Sequence, residues 1–257
     1  MGKQKRNEYL KEKGILMSDF LPERAYLINN LKVMLRKGSK DFHMFCLRRE
    51  EEISDYIKIY ENETFVDIGA NVGYYALKIA KENKNKAINV IAIEAHPENY
   101  KALCKNIELN KLSNIKAINK AVSDNKGIVT IYERKSINRV QPEWYTIQQS
   151  IGGHQLDKSC SIQIESDTLD NILDGNKADF IKIDIEGAEV IALKGAEKTL
   201  KNLRKIIVEI HENNFDKIKQ ILEANKFETE TIINKIEKSD GFVIGIKKDI
   251  VSEPSSR

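Results

Sequence analysis

Hydrophobic residues in the first quarter of the chain recur at helical spacing. The first such set, at i, i+4, i+7 and i+8 and followed by Gly38 as a stop, is Leu27, Leu31, Met34 and Leu35. The second, at i, i+3, i+4 and i+7, is Ile53, Tyr56, Ile57 and Tyr60. Apolar positions at these intervals fall on one face of an α-helix. The pattern therefore predicts a helical extension over residues 1–60 that covers one side of the remaining chain.

From Thr64 the rhythm changes to short β-branched runs that alternate with amphipathic helices. The predicted strands cover residues 64–68, 89–94, 115–119, 128–132, 161–165, 180–184 and 205–211. We expect helices between them, including a short one near 169–173 and one over 189–200, and a long irregular stretch at 133–161. Nearly continuous apolar strands that alternate with helices predict a parallel sheet with both faces covered.

The end of the alternating region differs from its beginning. Residues 228–234 and 241–248 are both strand-like, and only a polar segment separates them. Two strands joined without a helix predict an antiparallel hairpin. The predicted fold class is thus α/β, a mostly parallel sheet closed by a C-terminal hairpin, with one domain over 61–248, N-terminal helices before it and a frayed tail at 249–257.

The sharpest local motif is VDIGANVG at 66–73, which stands directly between a predicted strand and a predicted helix. In a doubly wound sheet, ligands bind at the carboxyl ends of the strands, and small residues let the backbone approach the ligand closely. Gly69 and Gly73 meet that need, and Asn71 is a residue type that tolerates a left-handed backbone. By itself, the motif is equally compatible with an ordinary tight turn.

An acid at the end of the next strand gives the motif a partner. Glu94 lies 21 residues after Gly73, where a carboxylate can accept hydrogen bonds from the ribose hydroxyls of an adenosine. The alternative is a helix N-terminal acid before Pro97. The loop lacks the glycine spacing that binds a pyrophosphate, and Asp67 suits a ligand with a positive ammonium and sulfonium better than a phosphate. The pattern favours S-adenosyl-L-methionine over a dinucleotide.

A second motif, IKIDIEGAE, places acids at the end of a later strand. Asp184 ends the strand, where it could hold the cofactor amino group or accept a proton from a substrate hydroxyl. Glu186 follows in the turn and could orient that hydroxyl. For Glu189 we expect a helix-capping role, the alternative that also exists for Glu186.

Glu209 and His211 alternate at the end of the next predicted strand, so both point to the same face. With Asp184 they could form an acid–base cluster, in which His211 has the only unperturbed pKa near neutrality. The three residues also form a metal-ligand set. Nothing in the spacing requires an ion, and the sequence therefore predicts no metal.

The charge and cysteine content indicate the cellular compartment but identify no binding partner. Forty-two basic against 39 acidic residues leave a net charge of +3. The charges alternate along helices and form no basic block, so nucleic acid remains an alternative partner and not the favoured one. Three widely spaced cysteines fit a reducing compartment, and no stretch approaches the length of a membrane span. We expect a cytoplasmic protein of unknown oligomeric state.

Taken together, the segments at 66–81, 92–110, 120–127, 180–200 and 206–211 resemble the FkbM family of S-adenosylmethionine-dependent methyltransferases, over about 61–213. The resemblance implies a Rossmann-like fold with a seven-stranded sheet. It implies cofactor-binding roles for Asp67, Gly69, Ala70, Asn71, Gly73, Glu94, Ala121, Val122, Ser123 and Asp184. The residues expected to act in catalysis are Asp184, Glu186, Glu209 and His211.

The resemblance also implies the type of reaction. Members of the family transfer a methyl group, often to a hydroxyl oxygen of a small molecule or glycan, which we take as the expected acceptor. An RNA methyltransferase is the first alternative. A non-catalytic cofactor-binding protein or an NAD-dependent protein is the second, and cofactor selectivity separates it from the others. Residues 133–161, which include Trp144 and Tyr145, are expected to determine the acceptor.

Overall fold

A computed structural model describes residues 21–46, 51–136, 139–146, 150–151, 154–155, 161–211, 213–234 and 239–247. The predicted tail at 249–257 and the first twenty residues lie outside them. The strands are β1 Arg24–Ile28, β2 Leu31–Leu35, β3 Thr64–Ile68, β4 Asn89–Ile93, β5 Ile115–Ile118, β6 Ala121–Val122, β7 Gly127–Ser136, β8 Arg139–Thr146, β9 Ser150–Ile151, β10 His154–Gln155, β11 Ser161–Asp167, β12 Phe180–Ile183, β13 Lys205–Ile210, β14 Glu228–Ile233 and β15 Gly241–Ile246. The helices are α1 Asp41–Cys46, α2 Tyr74–Glu82, α3 Pro97–Asn110, α4 Leu169–Leu173, α5 Glu189–Lys194, α6 Glu197–Asn202 and α7 Phe215–Ala224, with a 3-10 helix at Glu51–Tyr56.

The central sheet has seven strands in the order β14-β15-β13-β12-β3-β4-β5. Strands β13, β12, β3, β4 and β5 are parallel, and β15 pairs antiparallel with both β13 and β14. This confirms the predicted parallel sheet with a C-terminal antiparallel hairpin. Because the five parallel strands run in one direction, their carboxyl ends meet at one edge of the sheet, where ligands bind in such folds.

Each face of the sheet packs against its own hydrophobic core. Phe65, Phe180 and Ile207 belong to one core, whereas their neighbours Val66 and Ile181 belong to the other. Side chains alternate between the faces along a strand. Two residues further along each of these three strands, toward the carboxyl edge, the side chain on the face of the first core is polar. These side chains are Asp67, Lys182 and Glu209.

The helical interpretation of the segment from Leu27 to Leu35 is wrong, because β1 and β2 form an antiparallel hairpin. Asn29 and Asn30 both have positive φ, 48° and 67°, as a two-residue hairpin turn requires. In β2 the buried side chains Leu31, Val33 and Leu35 alternate with less buried ones, which is strand periodicity. The sequence fits both periods over so short a segment, and packing on the central core selected the strand.

Asparagines of α3 complete the hydrogen bonding of this hairpin. Asn110 and Asn106 accept from the backbone N–H groups of Lys32 and Met34, at 2.9 and 2.7 Å. The buried side chains of β2 join the same core as Phe65 and Phe180. The described part of the N-terminal extension is therefore packed onto the core of the central sheet.

The expectation of an irregular stretch at 133–161 is also wrong for the residues that the structure describes there. A second sheet has the order β6-β11-β7-β8, and β7 pairs antiparallel with both β11 and β8. Residues 133–136 of β7 and the residues of β8 are largely polar, so no hydrophobic period marks them, whereas the first half of β7 follows the apolar run predicted as a strand at 128–132, in which Ile131 is buried.

The helix expected over 189–200 is divided into α5 and α6 at Gly195. A Cβ atom at Gly195 would lie 2.0 Å from the carbonyl oxygen of Ser123. This close backbone approach brings the segment after β6 against the start of α6. Within the described ranges, no helix has the length and apolar character needed to cross a membrane.

Candidate active site

The loop between β3 and α2 is held against the end of β4 by backbone hydrogen bonds. The N–H groups of Gly69 and Ala70 both donate to the carbonyl of Ile93, at 2.9 and 3.0 Å. Asn71 has φ 51°, which confirms the left-handed conformation expected for it, and Gly73 has φ 97°. The loop is thus a sharp turn whose backbone lies at the carboxyl edge of the sheet.

Gly69 also brings the loop against the end of β12. A Cβ atom at this position would lie 1.8 Å from the carbonyl oxygen of Asp184, and the φ of Gly69 is 80°. The backbone N–H of Asp184 donates to the carbonyl of Ile68 at 3.0 Å. A glycine is required here both for space and for conformation, and its position places Asp184 directly beside the loop.

Glu94 accepts hydrogen bonds from the backbone of the loop. Its Oε2 accepts from the N–H of Asn71 and its Oε1 from the N–H of His96, both at 2.8 Å, and the residue is only 1% exposed. Contact with a ribose therefore stays a prediction, which the position of Glu94 under the loop allows.

Asp67 makes a comparable contact with α2. Its Oδ2 accepts from the N–H of Ala76 at 3.1 Å, and the side chain is buried. The carboxylate thereby satisfies a donor in the first turn of the helix and stabilises the positive end of its dipole. The predicted role toward a positively charged ligand remains untested by this contact.

An apolar pocket opens beside Gly69. Ile68, Ile93, Ala121 and Val122 line it, together with residues that include Lys120, Ile131 and Ile185. Ser123 lies next to it, buried, and its N–H donates to the carbonyl of Asp167 at 2.9 Å. Two of the three small residues expected beside an adenine therefore border the pocket, and the third, Ser123, follows them directly along the chain.

The acids predicted from two separate motifs come together at the carboxyl ends of β12 and β13. His211 Nε2 lies 3.7 Å from Glu186 Oε2 and 4.0 Å from Glu209 Oε1. A donor atom of Asp184, one of Glu186 and one of His211 all lie within 4.8 Å of one another. The four residues predicted to be catalytic thus lie together, and with one further glutamate they form what we call the carboxylate cluster: Asp184, Glu186, Glu189, Glu209 and His211.

Glu189 belongs to this cluster although the sequence predicted only a capping role for it. Its Oε1 accepts from the N–H of Gly187 at 2.8 Å, which is a local contact of the expected kind, and lies 3.4 Å from His211 Nδ1. The residue is fully buried. Its side chain therefore fixes the orientation of the His211 ring.

Lys182 is the residue of this region that sequence reasoning missed. It is 2% exposed, and its Nζ lies 3.3 Å from Asp184 Oδ2 and 3.5 Å from Glu209 Oε2. The Nζ also lies 4.7 Å from the centre of the Tyr75 ring, a cation–π contact. A polar residue inside an apolar strand was the available signal, because a buried lysine requires an acidic partner.

The carboxylates change the protonation of His211. Burial alone lowers the pKa of His211, but the hydrogen bond to Glu189 and the charges of Glu186, Asp184 and Glu209 outweigh it and raise the pKa to about 10. In this environment the charged form of the ring is favoured at neutral pH, whereas an unperturbed histidine titrates close to neutrality. The groups able to accept a proton are the carboxylates.

The sheet order, the glycine loop after β3, the acid after β4 and the antiparallel end define a Rossmann-like methyltransferase. The crystal structure of an FkbM methyltransferase from Methylobacillus flagellatus has this fold, with a TM-score of 0.54 at 18% identity over 75% of this chain. This chain spans 45% of the length of that one. The model of the methyltransferase FkbM domain matches residues 67–229, so this chain belongs to the FkbM methyltransferase family.

Two curated relatives of this chain differ in the reaction that their names describe and in the length of the similarity. The hexuronic acid methyltransferase AglP of Haloferax volcanii is 24% identical over 209 residues, which are 79% of each protein. A tRNA(Phe) (4-demethylwyosine(37)-C(7)) aminocarboxypropyltransferase of Methanocaldococcus jannaschii is 44% identical over 68 residues, only 26% of this chain and 25% of that protein. The first similarity extends along most of the chain, whereas the second is local.

Proposed function

We propose that this chain transfers the methyl group of S-adenosyl-L-methionine to a hydroxyl oxygen of a small molecule or glycan. The observation that carries the proposal is the position of the carboxylate cluster beside the glycine loop, linked through Asp184. A cofactor loop and a set of proton acceptors at one edge of the sheet are what methylation of a hydroxyl requires.

The cofactor would be held by groups already aligned at this edge. The apolar pocket bordered by Ala121 and Val122 suits an adenine, and Glu94 would accept hydrogen bonds from the ribose. Asp67 and Asp184 would favour the positive charges of the ammonium and the sulfonium. When bound, the cofactor supplies an electrophilic methyl carbon; the protein supplies its position.

The transfer is an in-line displacement in which the acceptor oxygen bonds to the methyl carbon. The carbon–sulfur bond breaks, its electron pair stays on sulfur, and S-adenosylhomocysteine leaves. The hydroxyl proton passes to a carboxylate, for which Glu209 is the candidate. Proton transfer to a positioned side chain contributes roughly 10²–10⁴-fold to a rate. Lys182 would hold Glu209 and Asp184 in place.

The charge of the site bears on the acceptor. Four carboxylates face Lys182 and His211 among the described residues. This arrangement disfavours an acceptor that brings phosphate groups close to the cluster. The longer of the two curated similarities, to a hexuronic acid methyltransferase, also supports a carbohydrate or another small molecule over RNA.

Calorimetric titration tests the cofactor first. We expect saturable binding of S-adenosyl-L-methionine and of S-adenosylhomocysteine, and no binding of NAD. Binding of NAD alone would overturn the methyltransferase proposal for this chain. A screen with a labelled methyl group then compares sugars, other polyols and RNA as acceptors.

The variant Glu209→Gln tests the chemistry separately from binding. We expect it to bind the cofactor as the parent does and to lose roughly 10²-fold or more in turnover. Glu197→Gln, which alters an exposed glutamate in the first turn of α6, is the matched control and should leave both unchanged. Full activity of Glu209→Gln would show that Glu209 is not the proton acceptor.

A further inference from the structure

We propose that Asp184, Glu186 and His211 bind a divalent metal ion through two carboxylate oxygens and one imidazole nitrogen. The spacing of these residues along the sequence did not require an ion. The structure supplies what spacing could not, namely the mutual distances and the orientation of the ring. The proposal deepens the proposed function at the same site, and its test does not depend on cofactor or acceptor.

The donor atoms lie at separations that one ion can bridge. All three lie within 4.8 Å of one another, and His211 Nε2 is 3.7 Å from Glu186 Oε2. Metal bonds of about 2.0–2.2 Å in an octahedral site separate adjacent donors by about 3 Å and opposite donors by about 4.2 Å. The distance between His211 Nε2 and Glu186 Oε2 falls within this range, and the 4.8 Å limit for the whole set lies slightly above it.

The ring of His211 is oriented as metal-binding histidines are. Its Nδ1 faces Glu189 Oε1 at 3.4 Å, which leaves Nε2 directed at Glu186. A carboxylate that accepts from the second ring nitrogen is the usual support of a histidine ligand, because it fixes the tautomer and makes the nitrogen a better donor. Glu189 therefore acts as a positioning residue for the proposed ligand.

Glu189 provides a second, independent indication that a cation belongs here. The residue is 0% exposed, and its Oε2 has no hydrogen-bond partner among the described residues. Burying a carboxylate with one oxygen unmatched is costly unless positive charge lies close by. A metal ion bound at His211 Nε2 would replace the proton on that nitrogen and keep positive charge next to the Glu189 carboxylate through the polarised imidazole.

The site is open enough for an ion and an acceptor to enter. The side chains of Asp184, Glu186 and His211 are 24%, 30% and 18% exposed, in contrast to Glu189. Three protein donors leave coordination positions for water or for hydroxyl oxygens of a polyol. A bound hydroxyl loses its proton more readily next to a divalent ion. Mixed oxygen and nitrogen donors suit Mn²⁺ better than Ca²⁺, which prefers an all-oxygen shell.

Direct titration of the full chain with Mn²⁺, after dialysis against a chelator and without cofactor, tests the proposal. Electron paramagnetic resonance of free Mn²⁺ should show saturable binding of one ion per chain. Glu186→Gln and His211→Gln should each weaken binding by more than about tenfold, and Glu189→Gln by roughly tenfold. Circular dichroism melting of each variant shows whether it remains folded.

Glu209→Gln is the matched control, because it removes a carboxylate of the same cluster that is not in the proposed ligand set. We expect its Mn²⁺ affinity to change less than about threefold. Absence of saturable binding to the folded parent overturns the proposal, as does equal weakening by Glu209→Gln and Glu186→Gln, which would show only a diffuse negative potential. Failure of S-adenosyl-L-methionine to bind would count against the proposed function and not against the metal site.

Discussion

The two edges of the central sheet use ionic groups in opposite ways. At the amino edge, Arg204 and Glu63 form a closely matched ion pair: Arg204 Nε and one terminal nitrogen lie 2.5 and 2.7 Å from the two carboxylate oxygens of Glu63. Lys247 donates to the carbonyls of Leu200 and Lys201 at 2.5 and 2.8 Å. At the carboxyl edge, four carboxylates of the cluster face Lys182 and His211 among the described residues.

We infer from this contrast that the ionic groups of the amino edge stabilise the fold and that those of the carboxyl edge bind a ligand. Removing one partner of a buried ion pair with good geometry leaves an uncompensated buried charge and is strongly destabilising. A buried group of carboxylates with fewer cations is unfavourable by itself and becomes favourable when a cation arrives. The pair of Arg204 and Glu63 therefore indicates a structural role at the amino edge, and the excess of carboxylates over cations in the cluster indicates binding at the carboxyl edge.

The largest expected effect comes from Gly69→Val, which adds a side chain where the glycine loop contacts the backbone of Asp184 at the carboxyl edge. The new Cβ would meet the carbonyl oxygen of Asp184 at a φ of 80°. We expect the free energy of unfolding to fall by about 4 kcal/mol or more. Cofactor binding should be lost in the same variant, and urea unfolding with calorimetry measures both.

Gly175→Ala is the control for that variant. Gly175 has a nearly identical φ of 79° but nothing within 4 Å of its added Cβ. We expect a cost of about 1 kcal/mol from conformation alone. Equal losses in the two variants would mean that backbone conformation, and not the approach to Asp184, makes Gly69 necessary.

Arg204→Met tests the amino edge. Removing the guanidinium leaves Glu63 buried without its partner, so we expect about 3 kcal/mol less stability in denaturant unfolding. Affinity for S-adenosyl-L-methionine, measured on the folded variant, should change less than about twofold, because the pair lies at the opposite edge. The double variant Arg204→Met with Glu63→Leu should recover part of the loss. A large fall in affinity would contradict the division of roles between the edges.

Glu189→Gln should behave differently from Glu63→Gln, although both glutamates are buried. Glu189 is one of several carboxylates around His211, and its amide replacement can still accept from Gly187. We expect the free energy of unfolding to change by less than about 1 kcal/mol, against a loss of about 2–3 kcal/mol for Glu63→Gln. Thermal unfolding of the two variants under one buffer compares them. Equal losses would remove the distinction between matched and unmatched carboxylates.

The smallest expected effect is a pH dependence at the amino edge. Burial and the charges of Arg204 and Lys58 lower the pKa of Lys205 to about 8, with Glu63 opposing. The unfolded chain then binds more protons than the folded one between pH 8 and about 10.4, so the free energy of unfolding rises with pH in that window. We expect a rise of no more than about 1 kcal/mol, after allowance for solvent screening. Lys205→Met should remove this part of the slope, and an unchanged slope would show that other groups cause it.

Much of the fold could be predicted because its signals are local. The apolar runs that became β3, β4 and β12, the glycine turn and the strands of the C-terminal hairpin all show their period within a few neighbouring residues. The hairpin from Leu27 to Leu35 was misjudged because its apolar positions fit helix and strand alike. The paired strands within 133–161 were missed because backbone pairing leaves no hydrophobic period in a polar segment.

For the candidate site, the order of residues along the chain was enough to identify the strand ends that carry acids, because parallel strands of one sheet bring their carboxyl ends to one edge. The folded arrangement was needed to show that Lys182 lies between Asp184 and Glu209, that Glu189 orients His211, and that the surrounding carboxylates raise the pKa of the ring. Those properties depend on distances between residues that are far apart in the chain. Electrostatic interaction is a sum over such distances, and no local pattern of residues contains it.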